Sequence, residues 1–260
     1  MNINRCSYFS EPPGQSEITS NTSTDSIKKS VDGVIIRLGY RGYGNGALKL
    51  DTEFTNNLNA CKLRGIPYGF YFFTQAVNSA EAQEEVAMIC KVADIKAAEL
   101  GVWCDSETSN DGKGRGDVLT REQRTVANKA FIDCVNARGG HGGLYCGFYW
   151  LRDNLNADVF KQYPFWLACY IMPVTNKRQI ERMVKMCGVE LPKKFVRVLE
   201  KYEHNEEALR DAGIAYAIDQ ITDLITEGID GIHLYTMNNS FIAHRIYDAV
   251  QNLISVSTKV

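Results

Sequence analysis

Short apolar runs rich in β-branched and aromatic residues recur along this chain, with stretches of helical period between them. The runs are "GVIIRL" (33–38), "IPYGFYFF" (66–73), "LGVWCD" (100–105), "GGLYCGFYW" (142–150), "PFWLACYIMPV" (164–174) and "GIDGIHLY" (228–235), and "CSYFS" (6–10) can be counted before them. They are nearly continuous in apolar residues rather than alternating. That marks strands buried on both faces, as in a parallel sheet covered by helices. Units of about 30 residues in the first half suit a barrel. The expected fold is α/β, a TIM-like (β/α) barrel of seven or eight strands, incomplete or irregular in places. A chain of 260 residues fits one such barrel, so 1–260 is expected to be a single domain. The run 164–174 is the irregularity. It is long for one barrel strand and too short for two strands with a helix between.

Helical signals fill the gaps. Phe54, Leu58 and Cys61 fall at helical spacing, and Gly65 stands where that helix would stop. Asn78 with Glu81, and Thr120 with Gln123, have the spacing of capping boxes. Behind them Val86, Ile89, Cys90 and Ala93 make one stripe, and Val126, Ala130, Phe131, Cys134 and Val135 another. From 175 the pattern is mainly helical, over 177–187, 193–203, 206–227 and 239–254. Residues 11–30 are polar and turn-rich.

Composition removes several function classes. With 45% hydrophobic residues the chain can bury a large core. Its 29 basic and 31 acidic residues give a net charge of −2, which makes no nucleic-acid surface. No apolar run approaches the roughly 20 residues of a membrane span, and no signal peptide is visible, so a cytoplasmic location on expression is expected. Eight cysteines form no CxxC or Cys/His cluster, so no zinc site is expected, and the chain is expected to use no cofactor. Cys104, Cys146 and Cys169 lie in apolar patterns and read as reduced core residues.

Chemistry concentrates in "GVWCDSETSN" (101–110). Asp105 and Glu107 stand two apart at the end of an apolar run. On a strand they would share a face, with Cα atoms about 6–7 Å apart. They would lie at the C-terminal end of a barrel strand, where such barrels build active sites. Two carboxylates this close repel, so one pKa should rise. A protonated acid beside an ionised partner suits glycosidic bond cleavage. The same pair also fits a solvated strand-to-loop junction.

The segment 31–170 resembles the family 25 glycoside hydrolases, the lysozyme-type muramidases. The resemblance rests on the strand "VIIRLGY", on D-x-x-F-x-x-N at Asp51, Phe54 and Asn57, on G-x-Y-x-F at Gly69, Tyr71 and Phe73, and on the D-x-E pair. It implies Glu107 as general acid, with Asp105 stabilising the positive transition state or orienting the substrate. Tyr71, Tyr145 and Trp166 would line the sugar cleft, although each would also serve as plain core. The implied partner is the glycan of peptidoglycan, in the cell wall on which such enzymes act. The family's opening strand carries an active-site aspartate, whereas here no Asp precedes Asp25.

The segment 171–250 resembles the C-terminal part of methylenetetrahydrofolate reductases, through "IMPVTN", "CGVELP" and "GIDGIHLYTMN". This resemblance makes Gln179 a folate-site remnant, while the flavin-contacting strands of that family are missing. The two fragments, 1–170 and 171–260, meet inside an apolar run, although natural domains join at exposed linkers. The expectation is an engineered chimeric scaffold with a partial muramidase site and little or no activity. An active muramidase and a flavin or folate binder are the alternatives. His233, on the last apolar run, reads as a satisfied strand histidine. The oligomeric state stays open.

Overall fold

The computed structural model describes residues 6–8, 33–109, 112–168, 170–178, 180, 181, 184, 191–228, 232–236 and 239–257. The chain divides into two compact units, Met1–Ala168 and Cys169–Val260.

The first unit is built on one sheet. Its strands are β1 (Cys6–Tyr8), β2 (Gly33–Arg41), β3 (Leu48–Leu50), β4 (Tyr68–Phe73), β5 (Val102–Asp105), β6 (Gly142–Gly147) and β7 (Phe165–Ala168). Their order is β1-β2-β4-β5-β6-β7, with every neighbour on that path parallel; β3 pairs antiparallel with β2. Parallel strands need long crossovers. Helices α1 (Phe54–Arg64), α2 (Ser79–Val92) and α3 (Arg121–Ala137) supply them, followed by the shorter α4 (Phe148–Asn154) and α5 (Ala157–Phe160). This is a mixed α/β unit with a mostly parallel sheet.

The two sheet faces do different work. On one face Val34, Ile36, Leu38, Phe70, Phe72, Val102, Cys104, Leu144 and Cys146 pack against the buried residues of the helices in one core. Each buried phenylalanine there contributes about 1.5–3 kcal/mol. The alternate positions Ile35, Tyr71, Trp103, Tyr145 and Ala168 form a second cluster, as the two-residue period of a strand requires.

Local signals act as their chemistry predicts, except for one of the two expected capping boxes. Phe54, Leu58 and Cys61 are the buried face of α1, and Gly65 ends it in the left-handed region at φ 60°. Asn78 caps α2 by accepting from the Glu81 N–H at 3.0 Å. The Glu81 carboxylate accepts from the Val77 N–H at 3.1 Å and does not complete the box. Thr120 and Gln123 form the full reciprocal box at α3.

Three expectations need correction. The stripe on α3 is turned by one residue. Val126 is 54% exposed, and Ala127, Phe131, Ile132 and Val135 face inward beside the polar Arg124 and Asn128. The run 142–150 is a strand only to Gly147. There the chain enters α4, because the Trp150 ring packs under the Arg124 guanidinium at 4.6 Å and its Nε1–H donates to Ser106 Oγ at 3.0 Å. Those tertiary contacts override the β preference of aromatic residues. The run 164–174 is two strands rather than one: β7, and β8 (Tyr170–Ile171), which belongs to a different sheet.

In the second unit β8 pairs in parallel with β9 (His233–Leu234). Its helices are α6 (Lys193–Tyr202), α7 (Glu206–Thr226) and α8 (Ser240–Ser257). Ile171, Ile214, Ala217, Ile221, Ile242, Ile246 and Val250 form one core, and Ile180, Phe195, Leu199 and Leu209 another. A Cβ on Gly213 would fall 1.8 Å from the Val174 carbonyl oxygen, so α7 can make that approach only with glycine. The helix expected over 177–187 falls largely outside the described residues. Among the described residues no helix is long and apolar enough to cross a membrane.

Candidate active site

Asp105 is the last residue of β5, in register with Phe73 of β4 and Tyr145 of β6. Register partners on parallel strands point the same way. Asp105 therefore shares a face with Trp103, two residues earlier, and with Tyr145. Tyr71 is in register with Trp103, and Trp166 with Tyr145. Tyr71, Tyr145 and Trp166 are thus brought together in one cluster around Trp103. Trp166 meets Trp103 edge-on at 5.4 Å between ring centroids and Tyr145 at 5.1 Å. The Trp103 indole N–H donates to the Leu100 carbonyl at 2.8 Å, which fixes the ring. Its bulk lies over Gly143, where a Cβ would come within 2.6 Å of the ring. Tyr71 and Tyr145 are buried and Trp166 is half-buried.

The strand ends sooner than the spacing predicts. Glu107 lies just beyond β5, half-exposed, on the loop that follows. The residue between the two carboxylates is turned to the helix side. The Ser106 N–H still bonds the Tyr145 carbonyl at 3.0 Å. Its hydroxyl, on the helix side, accepts from Asn128 Nδ2 at 2.8 Å and from the Trp150 indole. Ser106 is pinned into the helix layer, so Asp105, the strand residue before it, points to the other face, and Glu107 lies near enough for its charge to act on Asp105.

Asp105 is buried, and its Oδ1 has no hydrogen-bond partner among the described residues. Burial pushes its carboxyl well above the usual aspartate range, the nearby Glu107 charge adds to the rise, and Arg37 pulls the other way. The expected raised carboxyl is therefore Asp105. Arg37 lies 3.8 Å from Asp51 and over the Tyr40 ring at 5.1 Å. Arg37 and Trp103 were not among the expected site residues. An arginine in the middle of an apolar strand, and an indole two residues before a carboxylate, are the signals that mark them.

A polar network holds the loop after Glu107. Asp117 accepts from the Ser109 N–H and hydroxyl and from the Gly114 N–H. The Gln75 side-chain oxygen accepts from the Gly116 N–H at 2.9 Å. Arg124 donates to the carbonyls of Gly116, Asp117, Leu119 and Asn154. Arg115 forms a two-pronged pair with Glu81, at 2.7 and 2.8 Å. Behind it, Arg41 Nε donates to Glu85 at 2.9 Å, and the Thr74 hydroxyl donates to the other Glu85 oxygen at 2.8 Å. Burial raises Glu85 to about 7 against those bonds.

Gln179 lies outside the described residues. His233 is buried, stacks on Tyr235 at 4.7 Å, and is pushed down to about 4 by burial. Among the described residues no group of three or more His, Cys, Asp or Glu side chains could hold a metal ion.

Comparison with known proteins gives two matches. The family model of the glycosyl hydrolases family 25 matches residues 20–187, and that of methylenetetrahydrofolate reductase matches residues 164–251. The two overlap across 164–187. Methylenetetrahydrofolate reductase (NADH) 1 of Arabidopsis thaliana is 34% identical over 68 residues, which is 26% of this chain and 12% of that protein. The modular autolysin LytC of Streptococcus pneumoniae, solved with a synthetic peptidoglycan ligand, is 24% identical, with a TM-score of 0.46. That alignment covers 56% of this chain and 33% of LytC. The muramidase of Trichobolus zukalii is 18% identical over 57% of this chain and 70% of its own, also with a TM-score of 0.46.

Proposed function

We propose, on the premise that this chain belongs to the glycosyl hydrolases family 25, that the Asp105–Glu107 end of the sheet is a lysozyme-type peptidoglycan hydrolase site of low activity. The bond cleaved would be the β-1,4 link between N-acetylmuramic acid and N-acetylglucosamine. The observation that carries the reading is a buried carboxyl with an unsatisfied oxygen, two residues before a second carboxylate and beside a row of aromatic rings. Such a group costs stability unless a ligand completes it.

In this reading the one proton that the carboxyl pair holds passes through Glu107 to the glycosidic oxygen as the bond to the sugar carbon breaks, and water then adds to that carbon and returns a proton to the pair. Asp105 is held towards its neutral form while the site is empty. That favours orientation of the substrate by hydrogen bonding over stabilisation of a positive transition state. The half-buried Trp166 would supply apolar surface for a sugar ring, with the buried Tyr145 packed against it and Tyr71 in the same cluster. Low activity is part of the proposal because β1 (Cys6–Tyr8) carries no aspartate, and a missing charge-stabilising group commonly costs orders of magnitude. The (β/α) barrel is part of the proposal, supported by the parallel strand order. An engineered join is also part of it, supported by the position of the two-family overlap in and just after an apolar run.

Clearing of a bacterial cell-wall suspension tests the reading. The wild-type chain should clear it and Glu107→Gln should not. Equal clearing by both removes Glu107 from the mechanism, and no clearing by either leaves the site a structural remnant.

A further inference from the structure

The first unit has a recess of about 580 Å³, lined in part by Lys62, Cys90, Lys91, Asp94, Lys96 and Arg138. The last turns of α1 and α2 bring Lys62 and Lys91 to it, the short turn Ile95–Ala97 brings Lys96, and Arg138 is the residue that ends α3. Four cations face one carboxylate. Asp94 is already engaged, because its Oδ1 accepts from the Lys96 N–H at 3.0 Å. Among the described residues no carboxylate lies within 4.0 Å of any of the four cations.

Helix ends alone do not account for this charge. A helix C-terminus carries about half a negative charge, so three of them with Asp94 offset about two and a half of the four positive charges. The excess sits in a chain whose net charge is −2. Two of the cations also run along neighbouring residues of the lining. The Lys96 stem crosses Gly139, where a Cβ would come 3.0 Å from Lys96 Cε, and Gly139 adopts φ +82°. The Arg138 guanidinium packs on the Cys134 sulfur.

We propose that this recess binds a small soluble anion carrying two or more phosphate groups. Its volume of about 580 Å³ has room for such an anion, which would stay largely open to solvent. A single phosphate would engage only part of a lining to which several elements each bring a cation. Lysines act as point charges towards phosphate, and the arginine fork binds two oxygens at once. The site uses none of the residues of the carboxylate face.

The test is calorimetric titration of the whole protein with inorganic tripolyphosphate, with sodium chloride at matched ionic strength as the control. Alkylation of Cys90, followed by peptide mass mapping, gives a local readout, since that thiol is free and exposed. Saturable binding that slows Cys90 alkylation is expected, with inorganic monophosphate weaker by about tenfold or more. Lys96→Glu and, separately, Lys62→Glu should each weaken tripolyphosphate by about tenfold while the melting temperature holds. The exposed Lys62 provides the second variant should Lys96→Glu disturb the turn. Absence of saturable binding overturns the proposal. So does equal protection of Cys90 by chloride, or unchanged affinity in both variants.

Discussion

Two carboxylates in the first unit are taken out of water, and the fold treats them in opposite ways. Glu85, on the helix side, receives the Arg41 guanidinium on one oxygen and the Thr74 hydroxyl on the other. Asp105, at the end of β5 on the other face, keeps an Oδ1 with no partner among the described residues. Burial pushes both pKa values up. A buried carboxylate whose oxygens are both bonded is a structural joint. One that keeps an unbonded oxygen beside aromatic rings pays a stability cost that only a ligand can recover.

The largest way to break this contrast is to remove the joint. Glu85→Ala leaves Arg41 buried without its main partner, and breaking such a pair costs about 3–5 kcal/mol. Thermal or urea unfolding should show a loss of that size. A loss under about 1 kcal/mol would mean that Glu84 and Glu81, which also lie near Arg41, are sufficient partners.

Asp105→Asn should act with the opposite sign. The wild-type carboxyl has its folded pKa raised above the unfolded value. The stability it lends is therefore complete below the unfolded carboxylate range and is lost as pH rises through the folded value. The amide does not ionise. The variant should melt higher than wild type at neutral pH, by about 1–2 kcal/mol in stability, with the gap closing as the medium is made acidic. Cell-wall clearing should fall at the same time. A variant that is less stable at neutral pH would show that Asp105 is satisfied in the folded chain.

Arg115→Ala tests the connection between the two regions. Arg115 ties the loop after Glu107 to Glu81, and the Arg41–Glu85 joint lies behind that pair. Both partners are partly exposed, so the stability cost should be about 1 kcal/mol or less. The effect on clearing should be larger than on stability, because a displaced loop misplaces Glu107. Equal and small effects on both would detach the network from the site.

What could be read from residue order follows the range of the interaction. The parallel strands were legible because burial on both faces leaves an unbroken apolar run, and Phe54, Leu58 and Cys61 were legible because one helical face has a fixed spacing. The Asp105–Glu107 pair was visible as neighbours in sequence. The Arg41–Glu85 joint was not, since its members are 44 residues apart and each alone looks like a surface charge. The end of β6 at Gly147 was hidden for the same reason. Trp150 turns into a helix to reach Ser106 and Arg124, and nothing in "CGFYW" announces those partners. The division of 164–174 into β7 and β8 depends on pairing with β6 and β9, which a single run cannot reveal.

The prediction with the smallest effect on clearing is a control for the contrast between the two carboxylates. Thr120 and Gln123 close the start of α3 reciprocally, at 3.2 Å and 3.0 Å, in an exposed position. Thr120→Ala removes one accepted bond and the reciprocity, which costs about 1 kcal/mol. The same helix carries Arg124 and Asn128, which hold the loop and Ser106 from its second turn onward, where the helix is already fixed by packing. The variant should therefore lose stability without losing clearing per folded molecule, and the loss should not depend on pH through the carboxylate range. If clearing falls as steeply as in Asp105→Asn, the site responds to any loosening of α3. The unbonded oxygen of Asp105 would then carry no more weight than an ordinary cap.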